Sequence, residues 1–208
     1  DICDDDIIPI EVLFRTFEEM PEIEKKAISL CKGSILEVGA GAGVHAIEMI
    51  KNGNEVFAID ISEGAVEHLK SKKINAEQIN FFDLKEKKFD TISLLMNGIG
   101  IAGSLSKLPD FLNHAKSLLS KNGKILCDSS DIKYLYEDEE GALWVNLNTE
   151  YYGDFKFQMK YKDHTTEWFD WLYIDFDSLY KVGTELGFVV KRICIDENHY
   201  LAELTLKD

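Results

Sequence analysis

The amino-acid sequence predicts an α/β fold with a doubly wound, mainly parallel sheet. The first observation is a short apolar run at residues 35–38, followed by three alternate glycines and then by apolar residues at helical spacing through residue 50. The second is another strand-like run, residues 55–60, that ends in a carboxylate. Strand-like and helix-like segments continue to alternate further along the chain, as they do in parallel sheets whose strands are joined by helices.

Composition predicts one compact domain. The chain has 208 residues, of which 45% are hydrophobic and only three are proline. This length is enough for one domain with a full core. No apolar run approaches the length of a membrane span, and the N-terminus is acidic where a signal peptide is basic. The four cysteines are far apart and form no C-x-x-C pair, which predicts free thiols in a reducing cytoplasm and no metal site.

The charge indicates which partners to expect. A formal net charge of -15 at pH 7 repels the phosphates of nucleic acids. Nucleic acid is therefore an unfavourable partner, and a small-molecule substrate is expected. The sequence does not indicate an oligomeric state.

The glycine turn after the first strand is the most specific motif. Gly39, Gly41 and Gly43 allow a sharp turn and a close approach of the backbone to a ligand. The nicotinamide fingerprint G-x-G-x-x-G would place its third glycine at position 44, which is Val44 here. Opened by Glu37, the G-x-G-x-G turn resembles motif I of the class I S-adenosylmethionine (SAM) dependent methyltransferases.

Two further acids extend the resemblance. Asp60 ends the second strand, about 20 residues after the glycines, where an acid accepts hydrogen bonds from ribose hydroxyls. Ser62 follows it as the expected N-cap of a helix. Asp83 lies in the segment 79–84, at the position where the family contacts the adenine amino group.

The fourth predicted strand, residues 89–96, leads into a glycine-rich segment that begins at Asn97 and ends at Gly103. It resembles motif IV, which lies beside the methionine part of SAM in the family. The segment lacks the prolines and the aromatic residue of the D/N-P-P-Y/F signature. Methylation of an exocyclic base nitrogen is therefore disfavoured.

The resemblance implies a seven-stranded Rossmann-like sheet with an antiparallel last strand, and a single methyltransferase domain over residues 1–208. It implies transfer of a methyl group from SAM to a small-molecule acceptor by in-line displacement, leaving S-adenosylhomocysteine (SAH). The expected cofactor-binding residues are Glu37, Gly39, Ala40, Gly41, Gly43, His45, Asp60, Ile61, Phe82, Asp83, Met96, Asn97 and Gly98.

The next segments are expected to reach the acceptor. A helix is predicted over residues 108–120, a turn over 121–124 and a fifth strand over 125–128. Asn97 and the group Ser129, Ser130 and Asp131 then face the same crevice. Ser129 and Asp131 either bind the substrate or act on it as a base, or they only cap the next turn.

Residues 133–174 are rich in aromatic side chains and predict an insertion that forms a lid over the methyl group. Residues 155–161 alternate apolar and polar, 163–166 form a turn, and 167–174 return as a partner strand. Tyr152 and Trp171 are candidate substrate contacts. The aromatics either line the pocket or form the small core of the hairpin itself.

Flanking segments complete the prediction. Residues 1–32 are expected to form an N-terminal helical cap, with one or two amphipathic helices over 10–31 that break near Met20 and Pro21. Arg15 either binds a substrate carboxylate or pairs with Glu18 or Glu19. A helix starts at residue 176, and residues 189–195 and 200–206 form the last pair of strands.

No catalytic base is assigned among the five histidines, which stand at positions 45, 68, 114, 164 and 199. Two other functions stay open at the level of sequence. One is a nicotinamide-dependent oxidoreductase, and the other is a SAM-binding sensor or partner protein without transfer activity.

Overall fold

A computed structural model describes residues 7–136 and 150–207. The strands are β1 Ser34–Val38, β2 Glu55–Asp60, β3 Asn75–Gln78, β4 Phe89–Leu94, β5 Leu119–Ser130, β6 Asp154–Phe157, β7 Lys160–Tyr161, β8 His164–Thr165, β9 Phe169–Leu172, β10 Phe188–Asp196 and β11 His199–Leu206. The helices are α1 Ile10–Leu13, α2 Glu22–Leu30, α3 Val44–Lys51, α4 Glu63–Ser71, α5 Leu108–Leu118 and α6 Phe176–Glu185.

One seven-stranded sheet organises the molecule, in the order β10-β11-β5-β4-β1-β2-β3. The five neighbouring strands β5, β4, β1, β2 and β3 are parallel, whereas β11 runs antiparallel to both β5 and β10. The predicted α/β sheet with an antiparallel last strand is confirmed. From β1 the chain continues to β2 on one side, and it later returns to β4 on the other side of β1. A ligand crevice forms at the carboxyl ends of the strands where the strand order reverses in this way.

The sheet is covered on both faces, which is why its central strands read as apolar runs. Successive residues of β1 point to opposite faces, so Ile35 packs with α2, α3 and α4 while Leu36 packs with α5 and α6. Both side chains are fully buried. Leu172 and Ile174 belong to the core on the α5 side, so the base of the insertion is part of the main domain.

The predicted turn at residues 121–124 is wrong in detail. Helix α5 ends at Leu118 and β5 begins at Leu119 without an intervening loop. Phe89 and Thr91 are two positions apart on β4, but their partners on β5, Leu119 and Lys124, are five positions apart. The Asn-Gly sequence therefore lies in a bulge within the strand.

The predicted hairpin is present over nearly the predicted residues, but its strands are interrupted, and residues 164–165 of the predicted turn belong to a strand. β6 pairs antiparallel with β9, and a second small pair, β7 with β8, forms the tip. The turn at the tip contains Lys162, which has a left-handed backbone (φ 52°). Residues 137–149 of the predicted lid lie outside the described residues.

The N-terminal segment breaks at Pro21, as predicted, since α1 and a short 3-10 turn at Phe17–Glu19 precede α2. Within residues 7–136 and 150–207, none of the helices has both the length and the apolar character needed to span a membrane.

Candidate active site

The carboxyl ends of β1, β2, β4 and β5 meet at one edge of the sheet, where antiparallel β11 begins. We call this the crevice edge. It contains the glycine turn after β1, Asp60 at the end of β2, Asn97 after β4, Asp128 near the end of β5 and His199 at the start of β11.

The three glycines of the turn have different surroundings. All have left-handed φ values, 69° at Gly39, 54° at Gly41 and 76° at Gly43. A Cβ on Gly43 would overlap the side chain of Leu69, so this glycine permits close packing of α3 on α4. A Cβ on Gly41 would meet nothing nearer than the Gly39 carbonyl oxygen at 4.0 Å. Gly41 therefore presents an open backbone surface.

Asp60 fastens the glycine turn to β2. One of its carboxylate oxygens accepts a hydrogen bond from the Gly41 N–H at 2.9 Å, and the other accepts from the Ser62 N–H at 2.8 Å. Gly39 and Ala40 also donate their N–H groups to the carbonyl oxygen of Ile59. Ser62 caps α4 as predicted, accepting from the Ala65 N–H.

Large apolar side chains stand exposed around the turn. Ile61 is 73% exposed, Phe82 is 41% exposed and Met96 is 39% exposed. Phe82 and Asp83 belong to the 3-10 turn Phe81–Asp83, which Asn80 caps by accepting from the Phe82 N–H at 3.0 Å. Exposed apolar surface next to polar groups is typical of a ligand site.

A buried charge cluster of Arg15, Glu24, Glu37 and His45 lies under the glycine turn. His45 Nε2 is 2.8 Å from Glu24, and His45 Nδ1 is 3.6 Å from Glu37. Arg15 pairs with Glu24, so the predicted pairing with Glu18 or Glu19 is wrong. The second carboxylate oxygen of Glu37 is buried and has no hydrogen-bond partner among the described residues.

The cluster shifts the protonation of its members. Burial disfavours the imidazolium of His45, but the carboxylates of Glu24 and Glu37 outweigh it and raise the pKa of His45 to about 9. Burial likewise opposes ionisation of Glu24, yet His45 and Arg15 lower its pKa. Both ring nitrogens of His45 thus face carboxylates of the protein.

Met96 and Asn97, after β4, have left-handed backbones with φ 58° and 57°. Two such non-glycine residues in succession are strained and must be held by their neighbours. Asn97 donates its N–H to Asp128 at 2.9 Å and its amide Nδ2 to the Leu172 carbonyl at 3.1 Å. Its side-chain oxygen accepts from Ser129 at 2.6 Å. Gly98, the next residue, is buried.

The other predicted substrate residues are brought to the same end of the sheet. Ser129 is fully buried, and its hydroxyl also accepts from the Ile174 N–H at 3.0 Å. Asp131 accepts from the Tyr152 hydroxyl at 2.8 Å and caps the next turn through the Lys133 N–H. Trp171 packs against Gly100, where a Cβ would overlap its indole ring.

One pair at the crevice edge was not assigned from the sequence. His199 Nε2 lies 2.8 Å from a carboxylate oxygen of Asp128. The hydrogen bond to Asp128 raises the pKa of His199 above its ordinary value, although partial burial opposes the shift. The sequence shows a histidine near the start of the last predicted strand, but it does not show the partner of that histidine, which depends on the pairing of β11 with β5.

A cleft of about 490 Å³ opens beside Phe82, between the segment after β4 and the hairpin. Lys107 and Asp170, which line the cleft, form an ion pair of 2.9 Å. The cleft is lined by Phe82, Ile101, Ala102, Gly103, Lys107, Asp110 and Asp170.

Comparison with known proteins identifies the family. A family model described as "Methyltransferase domain" matches residues 11–190. A SAM-dependent methyltransferase from Bacteroides fragilis, solved in complex with SAH, is 44% identical in sequence to this chain. Its structure matches this one with a TM-score of 0.91. The alignment covers 98% of this chain and 84% of that one.

This chain belongs to the class I SAM-dependent methyltransferase family. The cofactor of this methyltransferase is SAM, which decides against the nicotinamide oxidoreductase left open by the sequence. A search of curated proteins gave no match.

More distant structures share the fold of this methyltransferase. The sugar N-methyltransferase KedS8 from Streptoalloteichus is 12% identical with a TM-score of 0.67, and the alignment covers 100% of this chain and 97% of that one. The glycopeptide N-methyltransferase MtfA, complexed with SAM, is 16% identical with a TM-score of 0.62, covering 89% and 94% of the two chains.

Proposed function

We propose that this methyltransferase transfers a methyl group from SAM to a small-molecule acceptor. The observation that carries the proposal is that two segments contact the crevice edge: the N-terminal segment reaches His45, just after the glycine turn, through Glu24, and the hairpin reaches Asn97 after β4 and Ser129 on β5. An acceptor site between them suits a small molecule better than a folded macromolecule. The net charge of -15 also disfavours nucleic acid.

The residues around the glycine turn fit SAM. Bound SAM supplies a methyl carbon made electrophilic by its positively charged sulfur. The unpartnered carboxylate oxygen of Glu37 fits the ammonium group of its methionine part, because a buried carboxylate needs a compensating charge. The open surface of Gly41, supported by Gly39, Ala40 and Gly43, leaves room for the cofactor.

The adenosine part would lie toward β2. Asp60 already accepts two backbone hydrogen bonds, but a carboxylate has about four acceptor positions and so retains capacity for ribose hydroxyls. Ile61 and Phe82 would flank the adenine ring, and Asp83 would accept from its amino group. Met96, Asn97 and Gly98 would lie beside the methyl group. We assign His45 to holding Glu37 and not to contacting SAM.

On the acceptor side we propose Asp131, Tyr152 and Trp171, whose side chains come from the crevice edge and the hairpin. Asn97 and Ser129 support this wall through the hydrogen bonds that join β4, β5 and β9. Arg15 is excluded from the proposal, because its guanidinium is buried against Glu24 and the Val12 carbonyl.

A matched pair of glycine variants tests the cofactor site. Gly41 and Gly53 both have left-handed φ values, and a side chain on either meets open space, but Gly53 follows α3 away from the crevice edge. Valine adds the same backbone strain at both positions. By isothermal titration, Gly41→Val should weaken SAM binding at least about 100-fold, or about 2.7 kcal/mol, while Gly53→Val should bind almost normally. Equal affinities would place the cofactor elsewhere.

The acceptor can be found with SAM that carries a deuterated methyl group. The purified protein is incubated with this SAM and separately with the small-molecule, RNA and protein fractions of cells that produce it. We expect the label in a small molecule, detected by mass spectrometry as a mass shift. Label only in RNA or protein would contradict the proposed acceptor class, and no label in any fraction would favour a binding protein without transfer activity.

A further inference from the structure

The His199–Asp128 pair occupies a specific place at the crevice edge. Asp128 lies near the carboxyl end of β5 and is 0% exposed. His199 begins β11 and pairs in register with Ser130, which brings its ring to the same end of the sheet. The side chain of His199 remains 35% exposed, so the pair joins a buried carboxylate to a partly exposed ring at the crevice edge.

Hydrogen bonds connect this pair to the residues proposed to lie beside the methyl group. Asp128 uses one carboxylate oxygen for His199 and the other for the Asn97 N–H, at 2.8 Å and 2.9 Å. Asn97 is in turn fixed by Ser129 at 2.6 Å. The carboxylate is therefore held on both sides, and the imidazole has a defined orientation.

The geometry also selects which ring nitrogen is available. A carboxylate accepts hydrogen bonds, so Nε2 of the neutral ring carries the proton and Nδ1 carries the lone pair. Among residues 7–136 and 150–207, no hydrogen bond to Nδ1 of His199 is formed. His45 differs, because both of its nitrogens face carboxylates and the residue is buried. Of the two, only His199 has a ring nitrogen free to take a proton.

We propose that His199 is the catalytic base of this enzyme and that Asp128 is its positioning residue. This inference rests on the proposed function and narrows its acceptor class to protic nucleophiles, namely a hydroxyl or an amine. As the acceptor atom forms its bond to the methyl carbon, the carbon–sulfur bond breaks and its electron pair stays on sulfur. The proton of the acceptor passes to Nδ1 of His199.

The charges around His199 favour this proton transfer. Asp128 on β5, Glu24 on α2 and Asp196 on β10 all act to stabilise the imidazolium. A base with a raised pKa holds its proton to higher pH, so the transfer rate should increase with pH through that pKa. The side-chain amide introduced by Asp128→Asn would donate to Nε2, which moves the ring proton to Nδ1 and removes the acceptor lone pair.

Nitrogen NMR of the protein with labelled histidine tests the pair without any acceptor. Spectra of the SAH complex are recorded across pH, and His199→Gln identifies the His199 signals. We expect the neutral ring to carry its proton on Nε2 and to titrate above pH 6.5, and we expect Asp128→Asn to move the proton to Nδ1. A neutral wild-type ring protonated on Nδ1 would overturn the proposal.

Methyl transfer to the acceptor found with deuterated SAM gives the second test. In single turnovers, His199→Gln should be at least about 100-fold slower than wild type, with SAM affinity unchanged. His68→Gln, a histidine on α4, serves as the control and should keep the wild-type rate. Added imidazole should restore part of the rate to His199→Ala, which a purely structural role does not predict.

The catalytic base and the methyltransferase function can be tested separately. A His199→Gln enzyme that transfers methyl at nearly the wild-type rate would remove the base and leave the methyltransferase intact. A wild-type protein that binds SAM but labels no acceptor would contradict the proposed function, and the NMR result would still decide the state of the His199–Asp128 pair.

Discussion

Two segments contact the crevice edge, and we call them its covers, since we propose that the acceptor binds between them; they are fastened by different interactions. The N-terminal segment (residues 7–32) is held at β1 by the buried charge cluster of Arg15, Glu24, Glu37 and His45. The buried part of the hairpin segment (residues 150–174) is held at β4 and β5 by neutral hydrogen bonds and apolar packing, and its ion pair with Lys107 through Asp170 is exposed. The contribution of buried charges changes with pH, because it depends on the protonation of each partner, whereas the contribution of a neutral hydrogen bond does not change with pH. The buried fastening of the first segment is therefore sensitive to protonation, and that of the second is not.

The largest effect is expected from removing the carboxylate that both cations of the cluster share. Glu24→Ala leaves Arg15 and His45 without their common partner in a buried site. We expect a loss of about 3–5 kcal/mol in the free energy of unfolding, measured by urea denaturation. The matched variant Glu22→Ala, whose carboxylate is exposed on the same helix, should lose less than about 0.5 kcal/mol. Similar losses in the two variants would mean that the cluster does not fasten the segment.

The pH dependence of stability should separate the two covers. The folded pKa of His45 is raised to about 9, above the ordinary value of 6.5. Its contribution is therefore complete below pH 6.5 and is lost as pH rises through 9, by up to about 3 kcal/mol. The difference in unfolding free energy between wild type and His45→Gln should shrink over this range. A constant difference would show that His45 is not charged in the folded protein.

Ser129→Ala breaks the neutral fastening of the hairpin segment. It leaves the Ile174 N–H and the Asn97 side-chain oxygen unpaired in the core, which should cost about 2 kcal/mol. Chemical denaturation at pH 6.5 and pH 9.5 should give the same loss at both. A loss that changes with pH in parallel with that of His45→Gln would erase the distinction between the covers.

The smallest effect on stability is expected at the tip of the hairpin. Residues 158–167 are all exposed, so replacing them with a two-residue Asn-Gly turn should change the unfolding free energy by less than about 0.5 kcal/mol. The same deletion should slow methyl transfer to the true acceptor while SAM affinity stays within about threefold of wild type, since the tip belongs to the predicted lid. Leu172→Ala, at the buried base, should instead cost at least about 2 kcal/mol. An unchanged transfer rate in the tip deletion would assign Tyr161 and the rest of the tip no part in acceptor binding.

Local patterns were enough to predict the sheet and the glycine turn. The apolar runs, the spacing of Asp60 from the glycines and the cap at Ser62 are all properties of short stretches of sequence. The hairpin was predicted from its period-two alternation, although its tip pair was missed. The bulge in β5 was interpreted as a turn because Asn-Gly favours both, and only the pairing with β4 distinguishes them.

The partners of buried charges could not be predicted in the same way. Arg15 and Glu24 lie on opposite sides of the break at Pro21, so their contact depends on how the segment folds back. His199 reaches Asp128 across 71 positions, through the pairing of two antiparallel strands. Residue type alone favoured a surface pair for Arg15 and no role for His199. Long-range register, and not local propensity, decides both.

The double anchoring of Asp60 has a consequence for the catalytic cycle. With both oxygens bound to backbone N–H groups, the glycine turn has its binding shape before the cofactor arrives, and little conformational entropy is lost there on binding. Exchange of SAH for fresh SAM therefore need not remake the turn at each cycle. Any opening that admits the cofactor is expected in the covers of the crevice edge, while the glycine turn keeps its shape.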